Sequence, residues 1–262
     1  MVVPNHAFGS SSAGPATVWA VGDGADGGQR AKRLVGRIAG DRPDRLLYLG
    51  DVYERGSAGD FAGNYASTYG ALARITAPTP GNHDWPAHLE GYDPYWRRVT
   101  GAATPPWYAF SVAGWDVLSL NSEAPHDVGS QQVAWLRRQA KGAGTCRLAF
   151  WHRPYLSDGR HGDQADVAPF WRALRGRAAL VLNGHDHDTQ RFKAADGITE
   201  VVAGAGGKSF YGVDKGDRRL AFADDSSDAA LRLTLRPGRA DLAVIAGDGR
   251  VLDRSTVPCR PR

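Results

Sequence analysis

Five short apolar runs in this sequence each end in residues that can offer a lone pair to a cation. Val18–Val21 leads into Gly22-Asp23-Gly24, and Leu46–Leu49 into Gly50-Asp51-Val52-Tyr53. Ile75–Pro80 leads into Gly81-Asn82-His83-Asp84, Leu148–Trp151 into His152-Arg153-Pro154, and Val181–Asn183 into Gly184-His185-Asp186-His187. Each has a plain structural explanation when taken singly. Asp23 can cap a helix, Asp51 can sit in a turn, and Gly-Asn-His-Asp is good turn chemistry. The joint occurrence is harder to dismiss, since Gly-Asn-His-Asp alone should turn up by chance in on the order of one chain in a thousand of this length. Asp23, Asp51, Asn82, His152, His185 and His187 make a mixed oxygen and nitrogen donor set. That set suits zinc, iron or manganese better than a metal that prefers thiolates. Two such ions about 3.5–4 Å apart, bridged by a carboxylate, can clamp a transferring phosphoryl group.

The donors need a scaffold that brings strand ends together. Val18–Gly22, Leu46–Leu49, Ile75–Pro80, Leu148–Trp151 and Ala178–Leu182 read as strands. Gln29–Ala39, with Leu34, Val35 and Ile38 at helical spacing, reads as a helix, as do Phe61–Leu72, Gln131–Gln139 and Pro169–Leu174. Trp107–Val112 and Trp115–Leu120 flank Ala113-Gly114 as a hairpin. From about Ile198 the pattern turns mainly to strands, with Ile198–Val202, Ala230–Leu235 and Asp241–Ile245. Alternating strands and helices imply an α/β fold with a largely parallel core, where ligands bind in loops at the carboxyl ends of strands.

Composition sets the outer bounds. The chain has 262 residues, 42% hydrophobic and 23% charged, which excludes a disordered, collagen-like or coiled-coil protein. No apolar run approaches the roughly 18 residues a membrane span needs. A net charge of +4 without long like-charge blocks reads as a mixed solvated surface, with no strong sign of nucleic-acid binding. Residues 1–16, rich in Ser, Gly, Ala and Pro, read as a flexible tail before a single domain over 17–262, and they lack a basic-then-apolar leader. The two cysteines, Cys146 and Cys259, cannot build a zinc site alone. They can close one disulfide that staples the C-terminal tail to the body, a use suited to a secreted or periplasmic protein; two free thiols would remove that argument and leave the cytoplasm open.

The motif series resembles the calcineurin-like metallophosphoesterases, and within them the purple acid phosphatases and their bacterial relatives. The likeness is carried by Gly22-Asp23-Gly24, Gly50-Asp51-Val52-Tyr53, Gly81-Asn82-His83-Asp84, Trp151-His152-Arg153-Pro154 and Gly184-His185-Asp186-His187, and it runs over about residues 17–257. The resemblance implies a four-layer α/β/β/α sandwich with two mixed β-sheets. It also implies two metal ions, iron with zinc, manganese or a second iron, or else a zinc or manganese pair. Asp23, Asp51 and His187 would hold the first ion, with Asp51 bridging, and Asn82, His152 and His185 the second. A hydroxide held there would attack phosphorus in line, His83 would act as general acid on the leaving group, and Asp84 would orient His83.

Two departures from the family pattern bear on the site. The first motif lacks the histidine two residues after Asp23, a place that purple acid phosphatases fill with a tyrosine three residues after the second aspartate. Here Tyr53 stands two residues after Asp51, so it can ligate only if the shortened loop adjusts. Arg153 stands where relatives carry a second histidine and could grip a phosphate oxygen through two hydrogen bonds, and His161 could contact substrate from the following loop. The implied activity is hydrolysis of small phosphate monoesters. A phosphodiesterase acting on a cyclic nucleotide, nucleic acid or lipid head group would use the same donors, and a non-catalytic phosphate-binding scaffold is the remaining alternative. A zinc hydrolase of the His-x-His-x-Asp-His type is excluded, since Asp188-Thr189-Gln190 follow His187. Oligomeric state is not legible.

Overall fold

The computed structural model describes residues 14–142 and 144–261. The tail expected over 1–16 lies, through residue 13, outside the described residues, and strand β1 begins at Ala16.

Two sheets stack face to face. The first runs in the order β13-β12-β11-β1-β2-β3. It contains β1 (Ala16–Val21), β2 (Arg45–Tyr48), β3 (Thr76–Pro78), β11 (Ala229–Arg236), β12 (Arg239–Ala246) and β13 (Val251–Pro258). Strands β1, β2 and β3 pair in parallel, while β11, β12 and β13 add antiparallel. The second sheet runs β10-β8-β9-β7-β6-β5-β4. Its members are β4 (Tyr108–Val112), β5 (Trp115–Ser119), β6 (Arg147–Phe150), β7 (Leu180–Asn183), β8 (Thr189–Phe192), β9 (Thr199–Ala203) and β10 (Leu220–Asp224). Its centre, β5-β6-β7-β9, is parallel and its margins are antiparallel.

Alternation along β1 shows how the layers form. Val18 and Ala20 face the inter-sheet core with Leu148, Leu180, Leu231 and Leu233. Trp19 and Val21 face the other way, into a cluster with Leu34 and Ile38 of helix α1 (Gln29–Gly40) and the rings of Tyr65, Tyr92 and Trp96, the last two on α2 (Tyr92–Thr100). On the outer face of the second sheet, Trp135 and Leu136 of α3 (Gln131–Gln139) and Phe170 and Trp171 of α4 (Ala168–Leu174) cover Leu118, Ala149 and Val181. The result is the four-layer α/β/β/α sandwich with two mixed sheets that the motifs implied.

The helix expected over Phe61–Leu72 is broken. Ser57 caps a short α turn at Ala58–Asp60, a π turn follows at Phe61–Tyr65, and a 3-10 stretch runs from Tyr69 to Ile75. Gly63 and Gly70 weaken helical propensity there, and the rings of Tyr65 and Tyr69 each pack edge-on against Tyr48. Cys146 and Cys259 form a disulfide across 113 residues, joining the start of β6 to the tail after β13. No helix among the described residues is long and apolar enough to cross a membrane.

Candidate metal centre

Register brings the donors together before any side chain is considered. Val21 lies beside Tyr48 and Phe150 beside Leu182, so the loops carrying Asp23 and Asp51 leave one sheet as neighbours, and those carrying His152 and His185 leave the other. Cross-sheet bonds lock the two edges together: the Gly22 amide donates to the Ala203 carbonyl at 2.8 Å, and the His152 Nδ1–H to the Leu49 carbonyl at 2.8 Å. Three of the donors sit in the left-handed region that side chains seldom adopt, Asp23 at φ 59°, Asp51 at 67° and His185 at 73°. Such strain concentrates at functional sites. The preceding Gly50, at φ 98°, allows the tight turn into Asp51. Gly81 approaches so closely that a Cβ there would collide with the Asp51 carboxylate.

The side chains crowd acceptors onto too few hydrogens. His187 donates its Nδ1–H to the Ser209 carbonyl at 2.7 Å, which leaves the Nε2 lone pair pointing inward. Around the single hydroxyl hydrogen of Tyr53 lie three acceptors: His187 Nε2 at 2.8 Å, Asp23 Oδ1 at 3.0 Å and Asp51 Oδ2 at 3.3 Å. Tyr53 therefore reaches the donors of the first set despite the shortened loop. A second focus forms at His152. With its Nδ1–H on Leu49, its Nε2 faces Asn82 Oδ1 at 3.0 Å, His185 Nδ1 at 3.2 Å and Asp51 Oδ2 at 3.4 Å. Asp51 belongs to both foci. One ligand atom from each of Asp23, Asp51 and His152, all buried, falls within 4.8 Å of the others, an Asp/His group fit to hold a metal. Carboxylate, amide and imidazole donors converging this densely are the arrangement a cation satisfies, and the absence of thiolates suits a hard or borderline divalent metal.

Electrostatics follow from the crowding. Burial, reinforced by the Asp51 charge, pushes the Asp23 carboxyl well above its ordinary range. Burial acts on Asp51 in the same direction, but His152 and then His83 overcome it and hold Asp51 well below. His152 is moved up to about 10 by Asp51 against the effect of its burial. His185 is driven down to about 2 by burial and by the neighbouring His152 and His161, and His187 down to about 4, chiefly by burial.

His83 stands at the mouth, its side chain 35% exposed. Its backbone N–H donates to Asp51 Oδ1 at 2.9 Å, its Nδ1 lies 2.6 Å from the Glu54 carbonyl, and its Nε2 lies 3.9 Å from Asp51 Oδ2. The orienting partner is thus the Glu54 backbone, not Asp84. Asp84 points into the protein, where Oδ2 accepts the N–H groups of Asp51 at 2.8 Å and Gly81 at 2.9 Å, and Oδ1 that of Val52 at 2.9 Å. It clasps the two donor loops to each other.

Arg153 also departs from expectation. Its guanidinium is gripped by the buried carboxylate of Glu123, with Nε at 2.9 Å and Nη2 at 3.0 Å, so two of its donor groups are already taken. His161 joins the site, stacked on His185 at 4.1 Å with Nδ1 2.9 Å from Asp186 Oδ1. Residues not singled out from sequence complete the surroundings. Tyr211 stacks on His187 at 3.9 Å. The buried Glu200 accepts the N–H groups of Tyr155 at 2.8 Å and Leu156 at 3.0 Å, fixing the loop after His152. A lone glutamate inside the apolar run Ile198–Val202 was the available signal for it.

The sequence profile of the calcineurin-like phosphoesterases matches residues 16–189, which hold every donor named above. The chain belongs to the calcineurin-like phosphoesterases. Among individual proteins of this kind, it is 26% identical over 159 residues to tartrate-resistant acid phosphatase type 5 of Mus musculus, a match that takes in 56% of this chain. The chain spans about half the length of that enzyme, 49%. It is 27% identical over 188 residues to a probable cyclic nucleotide phosphodiesterase of Synechococcus sp., covering 66% of this chain and 68% of that one. In fold it is similar to a purple acid phosphatase from yellow lupin (Lupinus luteus) seeds, with a TM-score of 0.74 at 14% identity over 94% of this chain and 54% of the other. In this member of the family the six donors all lie on loops after β1, β2, β3, β6 and β7.

Proposed function

We propose that this chain is a dinuclear metallohydrolase of small phosphate monoesters. The observation that carries the reading is the pair of acceptor foci sharing Asp51. Asp23, Asp51, His187 and the Tyr53 hydroxyl would hold the first ion, and Asp51, Asn82, His152 and His185 the second. The phenolic oxygen of Tyr53 favours iron at the first position, with zinc, manganese or iron at the second. Two bound cations supply Lewis-acid stabilisation of the phosphoryl charge and lower the pKa of water.

The chain's own residues do the rest. His83 holds the proton for the leaving group. Its Nδ1–H rests on the Glu54 carbonyl, which keeps Nε2 turned toward the site, and Nε2 gives up its proton to the ester oxygen as the P–O bond breaks. Asp84 fixes the backbone from which Asp51, Asn82 and His83 project. His161, anchored by Asp186 and stacked on His185, would contact the substrate, and Arg153, already paired with Glu123, would add its positive charge nearby. The Cys146–Cys259 bridge fits a protein that works outside the reducing cytosol.

Similarity to the Synechococcus protein supports diester hydrolysis as the second reading. One experiment separates them. Wild-type and His83→Ala proteins, loaded with metal, are assayed on alkyl and nitrophenyl monoesters and on the matching diesters. The variant should lose about 10²–10⁴ in turnover of the alkyl monoester, less for nitrophenyl, and keep its metal. Equal alkyl turnover in both proteins removes His83 as the acid, and a wild-type preference for diesters moves the assignment to the second reading.

A further inference from the structure

Two of the aromatic rings at His187 carry a cation on a face. Tyr53, whose hydroxyl meets His187 Nε2, has the Lys208 ammonium 4.5 Å from its ring centre. Tyr211, stacked on His187, has the Arg160 guanidinium 4.9 Å from its centre. Lys208 is held at the site from its backbone, where its N–H donates to the Asp23 carbonyl at 3.0 Å. Its charged end pairs with Glu54, whose side chain is 68% exposed. Arg160 is exposed and makes no ion pair among the described residues. The donor cluster is therefore flanked, on the His187 side, by one unpaired cation and one whose partner is a solvent-exposed carboxylate that is readily exchanged.

We infer that Lys208 and Arg160 form a rim subsite for a second anionic group, so that the preferred substrate is a phosphate ester carrying another phosphate or a carboxylate beside the scissile group. The inference rests on the proposed phosphoesterase activity and names its substrate class. An ester oxygen or hydroxyl at that position could not replace Glu54 on Lys208, whereas an anionic oxygen can, through a charge-assisted bond over each ring face.

The test compares 2-hydroxyethyl phosphate with ethane-1,2-diol bisphosphate, which share a leaving-group type and differ by the second phosphate. Wild-type protein should show a kcat/KM at least about tenfold higher for the bisphosphate, and the Lys208→Gln, Arg160→Gln double variant should lose most of that ratio. No wild-type preference, or a variant that slows both substrates alike, overturns the subsite. Calorimetric binding of the bisphosphate to the metal-loaded proteins keeps the two claims separate. If wild-type protein hydrolyses neither substrate, the phosphoesterase reading fails, while about tenfold weaker binding to the variant still supports the subsite and equal binding overturns it.

Discussion

Replacing Asp84 by asparagine tests whether this residue acts on the loops or on His83. The carboxylate is 1% exposed and accepts three backbone N–H groups, two on Oδ2 and one on Oδ1. An asparagine keeps one acceptor oxygen. In its better orientation that oxygen stays with Gly81 and Asp51, and the new amide nitrogen faces the Val52 N–H. One hydrogen bond is lost and two buried donors oppose each other, at about 1–3 kcal/mol each, so the variant should unfold with roughly 2–6 kcal/mol less stability. The loops joined by Asp84 carry Asp51 and Asn82, so metal affinity should fall with stability. Urea denaturation of the metal-free protein gives the first quantity and competition with a chelator the second. A variant as stable and as metal-tight as wild type, yet slowed as His83→Ala is slowed, would refute the clasp and restore Asp84 as the orienting partner of His83.

Glu200 gives a pH-dependent counterpart. Burial raises its carboxyl from the ordinary value near 4.5 to about 8, so the folded state binds more protons than the unfolded one across that window. Its contribution is full below about pH 4.5 and is lost as pH rises through about 8, a change on the order of a few kcal/mol. Glu200→Gln cannot titrate; its stability relative to wild type should improve steadily from pH 5 to 8, and a constant difference would show that Glu200 is charged throughout. Reducing the Cys146–Cys259 bridge, or replacing both cysteines by serine, should cost about 5 kcal/mol by the loop-entropy relation for a span of 113 residues, read as a lowered urea midpoint. An unchanged midpoint would mean that other contacts already hold the tail after β13.

The site was more legible than the sheets. Asp23, Asp51, Asn82, His152, His185 and His187 could be named because each follows an apolar strand at the edge where α/β sheets bind ligands, and parallel register carries that order into space. Strand β8 was missed because Thr189 and Gln190 are polar yet buried, and β13 because Asp253, Arg254 and Ser255 interrupt its apolar pattern. Helix α2 begins behind Gly91 and has Pro94 in its first turn, which reads as a loop. Adjacency in sequence misled at Asp84, whose carboxylate turns inward while His83 turns out. It was silent at Arg153, whose partner Glu123 lies on a separate loop after β5. The position of Tyr53 could not be settled by counting residues, because the Asp51 loop is shaped by the Asp84 and Tyr48 bonds rather than by its length.

The central claim is a pair of metal positions sharing Asp51, and metal stoichiometry tests it most directly. Element-resolved mass spectrometry of the purified protein, and of protein reconstituted with iron, zinc or manganese, should give about two ions per chain, falling below one in Asp51→Asn. A single ion per chain that survives Asp51→Asn, or none after reconstitution, would contradict it.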